Sequence, residues 1–153
     1  MFKNILIIGF GMIGSSIAKT VFKNDKSTNI YALDKSPSIK ESLKKAKLSS
    51  VTCLKSFDEI NNSKIDLIII CTPVLQYKSI FQKLSQLKQN NFIVTDVGST
   101  KHNIEQIYKS GNFNFRFVPS HPIAGIEKSG LENGFVGLFD NRYNIICPLK
   151  NTS

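Results

Sequence analysis

No apolar run in this 153-residue chain approaches the roughly eighteen residues that a membrane-crossing helix needs, so no membrane partner is expected. The amino terminus runs almost at once into an apolar strand without a small-residue cleavage site, and a cytoplasmic location is the default expectation. Cysteine is scarce. Cys53, Cys71 and Cys147 lie 18 and 76 residues apart, which fits no zinc pattern, and an odd count makes a poor disulfide framework. Cys71 and Cys147 fall at the ends of expected strands, where thiols act as small hydrophobes, and no metal site is expected. Arginine is scarcer still, at 2 of the 20 basic residues. The net charge of +9 therefore rests on scattered lysines, not on the clustered arginines and interleaved aromatics of a nucleic-acid binder. Only Lys44-Lys45-Ala46-Lys47 is locally dense, and it falls where a helix should end. The reading is a solvated lysine-rich surface that attracts anionic ligands over distance, with no nucleic-acid partner. Repeats, low-complexity tracts and interdomain linkers are also missing, which leaves a single domain over 1–153. With 41% hydrophobic and 20% charged residues, that domain can bury a full core.

What the chain does have is an alternation of short apolar strands and amphipathic helices. Asn4 to Ile8 reads as a strand buried on both faces. Ile13, Ile17 and Val21 recur at helical spacing and carry a helix to about Lys23. Asn29 to Leu33 is a second strand. Ser36-Pro37 combines a capping hydroxyl with proline at the first helical position and predicts a helix to about Lys45. A short strand, Val51 to Leu54, precedes Ser56-Phe57-Asp58-Glu59, which has capping-box spacing. Asp66 to Cys71 is the clearest buried strand. It is followed by a helix from about Gln76 to Leu87, a strand from Phe92 to Asp96, a helix from Lys101 to Lys109 and a strand from Phe115 to Pro119. After a loop from His121 to Phe139, Asn144 to Pro148 supplies a late strand. This order implies an α/β fold: a doubly wound, Rossmann-type, mostly parallel sheet with helices on both faces.

Gly9-Phe10-Gly11-Met12-Ile13-Gly14 comes directly off the first strand and opens the first helix, the context in which such a glycine string marks a dinucleotide site. Gly9 permits the tight turn, Gly11 lets the backbone approach a pyrophosphate, and Gly14 lets the helix pack on the strand. The helix start then offers free N–H groups to phosphate. Asp34 follows Gly14 by 20 residues, at the end of the second strand, where a carboxylate accepts ribose hydroxyls and repels a 2′-phosphate. NAD is expected over NADP, although Lys35 beside it partly offsets that repulsion. Thr72-Pro73, also expected to contact cofactor, and the stretch Asp96 to Lys101 follow parallel strands on the edge where open α/β sheets bind ligands. Ser99 has two readings there, a hydroxyl aimed at substrate or nicotinamide and an N-cap for the helix near Lys101. Of the two histidines, His102 falls inside an expected helix without a partner. His121 ends a strand beside a Pro-Ile-Ala-Gly turn, its backbone held extended by Pro122.

Three segments carry a resemblance: Gly9 to Ser16, Asp96-Val97-Gly98-Ser99-Thr100-Lys101, and His121-Pro122-Ile123-Ala124-Gly125-Ile126-Glu127-Lys128-Ser129-Gly130. In order and spacing, over essentially the whole chain, the sequence resembles the prephenate/arogenate dehydrogenase family of tyrosine biosynthesis. The resemblance implies NAD-dependent oxidative decarboxylation of prephenate to 4-hydroxyphenylpyruvate, with arogenate as the other candidate small-molecule substrate. It makes His121 the catalytic histidine, a side chain suited to proton exchange near neutral pH, and Ser99 its hydroxyl partner. Glu127 and Lys128 would lie at the mouth of the site, Lys128 assisting a substrate carboxylate and Glu127 orienting or gating. Ile126 stands where the family often has Ser or Thr, so one polar contact is missing. Family members continue into a helical domain that forms a homodimer and completes the substrate pocket. This chain ends before such a domain, and a dimer is expected only with it. Two other readings stay open: another NAD(P)-dependent dehydrogenase, such as a 3-hydroxyacid type, and an NAD-binding module without turnover of its own.

Overall fold

A strand that is apolar at nearly every position needs cover on both faces, and the architecture provides it. The structure is a computed structural model that describes residues 2–149; the first residue and the last four of the expected domain lie outside that range. Strands β1 (Asn4–Ile8), β2 (Asn29–Leu33), β3 (Thr52–Leu54), β4 (Leu67–Ile70), β5 (Ile93–Asp96) and β6 (Arg116–Val118) form one sheet in the order β3-β2-β1-β4-β5-β6. Every pairing in it is parallel. Helices α1 (Met12–Asn24), α2 (Ile39–Lys45), α3 (Tyr77–Ser85) and α4 (His102–Ser110) supply the cover. Because strand side chains alternate, Leu6, Ile8, Ile68 and Ile70 pack with Phe81 of α3 and Ile104 of α4, while Ile5, Ile7 and Ile69 pack with Ala18 of α1 and Leu43 of α2. On the first side Phe81 is ringed by Tyr77, Tyr108, Phe113, Phe115 and Phe117, with centroids 4.9–6.0 Å away and edge-to-face angles. No helix among the described residues is long and apolar enough to cross a membrane.

The chain builds outward from β1 to β3, then returns to lay β4 against the other side of β1. This reversal opens a crevice at the carboxyl ends of β1 and β4, the position where doubly wound sheets bind ligands. Ile8 is level with both Leu33 and Ile70, so the three loops that follow these strands emerge together.

Several local expectations shift. The helix expected from Ser36-Pro37 starts at Ile39, with Ser38 before it and no side-chain cap. Ser36 is already engaged: its N–H donates to Asp34 Oδ1 (2.8 Å) and its hydroxyl faces that of Ser38 (3.1 Å). The Ser56 capping box also fails. Glu59 Oε2 accepts the N–H of Lys55 at 2.9 Å, one residue early, and Phe57–Asn62 winds as a 3-10 helix. Ser99 does not cap α4, which begins at His102 after Lys101. Tyr77 opens α3 behind a 3-10 turn at Val74–Gln76. His121 is not in a loop. It is the middle residue of β7 (Ser120–Pro122), which pairs antiparallel with β8 (Asn144–Ile146) in a separate two-stranded sheet, His121 opposite Ile145.

The long segment after β7 is tied back to α1. Leu131, in a 3-10 turn over Leu131–Asn133, is buried in the core on the α1 side. Ser15 Oγ donates to the Leu131 carbonyl (2.9 Å), Lys19 Nζ donates to the Gly134 carbonyl (2.6 Å), and Phe135 N–H donates to Ser16 Oγ (3.0 Å).

Candidate functional site

The glycine loop occupies the crevice between β1 and β4. Gly9 has φ +87°, a left-handed backbone that disfavours side chains, and a Cβ there would come within 2.6 Å of Thr72 Cγ2. Gly14 has the same closeness on the inner side, where a Cβ would meet the Gly9 carbonyl at 2.7 Å. Gly11 differs: a Cβ there would meet nothing within 4 Å, so its backbone borders open space. No side chain caps the start of α1, which leaves its first N–H groups free for an anion. Phe10 and Met12 are buried, so what they offer a ligand is backbone; Ile13 is half-buried.

Asp34 fastens this loop to the end of β2. Its Oδ2 accepts the Phe10 N–H at 2.6 Å while Oδ1 accepts that of Ser36, and lone pairs remain for further donors. A groove of about 930 Å³ runs from Gly9 past Asp34, Thr72 and Pro73 toward Phe57 and Lys83. Lys35 and Lys55 also line it. The Thr72 hydroxyl is buried there without a hydrogen-bond partner, an unusual state for a polar group and one that a bound ligand would relieve. The open space at Gly11, the uncapped helix and this orphaned hydroxyl fit a dinucleotide lying across the crevice.

His121 lies outside the lining of that groove, further along the same carboxyl edge. Its Nδ1 faces the Val97 carbonyl, just beyond β5, at a long 3.5 Å. Ser99, two residues after Val97, is exposed. Glu127 and Lys128 are exposed on the irregular segment after β7 and make no hydrogen bond or ion pair among the described residues. His102 sits on α4, its Nε2 3.0 Å from Gln106 Nε2. The cysteines are free thiols on half-buried residues, with Cys53 and Cys71 packed against the core on the α1 side and the Cys71 sulfur turned inward. Burial, reinforced by the Asp96 charge, pushes the Cys71 thiol far above the usual range.

Sequence reasoning singled out Ser99 from its segment and passed over the residue that organises it. Asp96, the last residue of β5, is wholly buried and faces Lys101 Nζ at 2.6 Å. Its Oδ2 also accepts the Gly98 N–H (2.9 Å) and the Tyr77 hydroxyl (3.1 Å), and its Oδ1 accepts the Ser120 N–H (3.0 Å). Burial first, and then Asp96, pushes the Tyr77 hydroxyl well above its ordinary pKa. A carboxylate ending an apolar strand, with a lysine five residues on, was the available signal.

A family model described as the prephenate dehydrogenase nucleotide-binding domain matches residues 17–153. The match takes in Asp34, Asp96, Ser99 and His121 and begins after the glycine loop. A cyclohexadienyl dehydrogenase from Zymomonas mobilis is 30% identical over 99% of this chain and 51% of its own length. The crystal structure of prephenate dehydrogenase from Aquifex aeolicus superposes with a TM-score of 0.87 at 33% identity, over 99% of this chain and 54% of that one. The same enzyme in complex with hydroxyphenyl propionate and NAD+ gives 0.81 at 31% identity, over 100% and 53%. The chain thus spans about half the length of these relatives. With the glycine loop at the switch point of the sheet and His121 on the same edge, the chain belongs to the family of prephenate dehydrogenase nucleotide-binding domains.

Proposed function

We propose that this chain provides the NAD site and the proton-accepting histidine for oxidative decarboxylation of prephenate to 4-hydroxyphenylpyruvate. The observation that carries the reading is the imidazole of His121 on the ligand-binding edge, with Nδ1 directed at a backbone carbonyl. A carbonyl only accepts, so a hydrogen bond here requires the tautomer with the proton on Nδ1, which leaves Nε2 with a free lone pair.

The loop from Gly9 to Gly14 and the start of α1 hold the pyrophosphate, Asp34 accepts the adenosine ribose hydroxyls, and Thr72 and Pro73 line the groove between. NAD, when bound, supplies a hydride acceptor. Nε2 of His121 takes the proton of the substrate ring hydroxyl as that carbon is oxidised, the general-base role. Loss of carbon dioxide then makes the ring aromatic and draws the reaction forward. Ser99 hydrogen-bonds the same hydroxyl, Lys128 attracts a substrate carboxylate, and Glu127 orients the entrance. The relatives are about twice as long, and we assign completion of the substrate pocket and any dimer contact to segments outside these residues. Exposed Tyr143, Ile145 and Ile146 beside β7 suit an apolar cover.

The test is steady-state turnover of the full-length polypeptide with prephenate and with arogenate, alongside calorimetric titration of NAD. His121→Asn should lower kcat about 10²- to 10⁴-fold while NAD affinity stays that of the parent. Ser99→Ala should cost less, since the base remains, and His102→Asn should be silent. An active His121→Asn, or a His102→Asn that loses turnover, would refute the assignment.

A further inference from the structure

We propose that the ion pair of buried Asp96 with half-buried Lys101 is the positioning device for His121, holding both the imidazole and the carbonyl opposite it; this rests on the reading of His121 as the base. The peptide unit is planar, so fixing one of its two polar groups directs the other. Gly98 N–H and the Val97 carbonyl belong to one peptide unit, and Asp96 Oδ2 holds that N–H at 2.9 Å. The Val97 carbonyl that meets His121 Nδ1 is therefore aimed by Asp96.

The other side of the contact is held by the same pair. Ser120, the residue before His121, is held by this pair at three points, besides the Thr95 hydroxyl 3.1 Å from its own. Its N–H donates to Asp96 Oδ1 at 3.0 Å, its hydroxyl donates to the Asp96 backbone carbonyl at 2.7 Å, and its own carbonyl accepts Lys101 Nζ. That carbonyl shares a peptide unit with the His121 N–H, so Lys101 sets the plane from which the histidine departs. Lys101 Nζ meanwhile stays 2.6 Å from Asp96 Oδ2. One carboxylate and one ammonium thus join the end of β5 to the start of β7 across the gap that the Nδ1 contact spans.

A buried ion pair is a weak source of stability, because desolvation offsets its attraction. What this pair delivers is direction. Neither residue needs to touch substrate: Asp96 is wholly enclosed, and the Lys101 ammonium is engaged on Asp96 and Ser120. The effect on the reaction runs through the orientation of the imidazole and its tautomer.

The test uses the full-length polypeptide with Lys101→Met, Lys101→Arg and Asp96→Asn, and His121→Asn as reference. Asp96→Asn is the direct variant. Lys101→Met leaves the buried carboxylate without its counter-charge and is the variant more at risk of not folding, in which case the same readouts and expected changes apply to Asp96→Asn. Readouts are kcat, KM for prephenate, the Kd for NAD, and the ¹⁵N shifts of the His121 ring. Lys101→Met should lower kcat by about 10²-fold, the scale of an ångström-sized misplacement, with KM and the NAD Kd unmoved. The ring shifts should move from the Nδ1-protonated tautomer toward a mixture, and Lys101→Arg should recover part of both effects. Parent-like kcat and ring shifts in Lys101→Met would overturn the proposal, as would a lowered melting temperature with the tautomer intact. If His121→Asn is inactive while Lys101→Met is fully active, positioning fails and the base survives. If His121→Asn stays active, the base reading fails and the ring shifts alone decide positioning.

Discussion

Asp34→Asn probes the cofactor site at its most constrained point. The native carboxylate has two oxygens, each receiving a backbone N–H: Phe10 at 2.6 Å and Ser36 at 2.8 Å. An asparagine supplies one oxygen and one NH2, so one of these N–H groups must face a donor. An unmet, partly buried N–H costs about 1–3 kcal/mol. If the loser is Phe10, the cost falls on the glycine loop itself, the proposed phosphate site. NAD affinity should therefore drop roughly 5- to 150-fold, at 1.4 kcal/mol per tenfold. NADP responds differently, because its 2′-phosphate is repelled by the native carboxylate. Two unit charges 4 Å apart repel by about 4 kcal/mol near a protein surface, and exposure and salt reduce this to about 1–2 kcal/mol. Relief of that repulsion offsets the loss in the loop, so the NAD preference should narrow by about tenfold while NADP affinity changes little. Calorimetric titration of both cofactors at one fixed ionic strength measures the gap. Lys35→Ala is a useful companion, since Lys35 lines the same groove and would attract the phosphate. Equal NAD and NADP affinity in the parent, or an unchanged preference in Asp34→Asn, would refute the role given to Asp34.

Gly134→Ala should lower the melting temperature, because the added Cβ would come 1.9 Å from Ser15 Oγ and 3.0 Å from the Met12 carbonyl. Overpacking of this kind costs about 1–3 kcal/mol, and an unshifted transition would show that the segment is not seated on α1. Phe81→Ala removes the ring at the centre of five edge-to-face contacts and should cost about 3–5 kcal/mol in urea unfolding; a loss below 1 kcal/mol would contradict the packing described. Asp25 lies at about 2, held down first by the Ser27 hydroxyl, then by the Ser27 N–H and the Thr28 hydroxyl. Its folded pKa is below the unfolded value of about 3.9, so the stability it contributes is present above about pH 4 and lost as pH falls through 2. Asp25→Asn should therefore show a shallower decline between pH 4 and 2 in acid unfolding, and an unaltered slope would count against those bonds.

The parallel sheet was legible because its strands are short apolar blocks separated by amphipathic helices, so type and order follow from burial alone. Asn4–Ile8, Asn29–Leu33 and Asp96 as the close of the fifth strand emerge within a residue of expectation. Two failures at helix starts share a cause. Ser36 and Glu59 each have the chemistry of a local signal, but each is engaged otherwise: Ser36 by Asp34 and Glu59 by the Lys55 N–H. A capping motif states what a side chain can do, not which donor competes for it. The glycine loop was legible for the opposite reason, since φ at Gly9 and the approach of Gly14 to the Gly9 carbonyl are local consequences of a strand turning into a helix. The polar joint under His121 was not, because Asp96, Lys101 and Ser120 are brought together by the pairing of β5 with β6, across 24 residues of chain.

The first strand of the chain ends up at the middle of the sheet, between β2 and β4, and this has a consequence during synthesis. One edge of β1 finds β2 within some thirty residues, but its other edge pairs with Leu67–Ile70, about sixty residues later. At roughly 5–20 residues per second, some 3–12 seconds separate the emergence of Ile8 from that of its second neighbour. During that interval an apolar strand with an open hydrogen-bonding edge stands at the ribosome, the kind of surface that pairs with whatever strand arrives first. Chaperone demand and aggregation of nascent chains should fall on the first half of these 153 residues and end once β4 has been made.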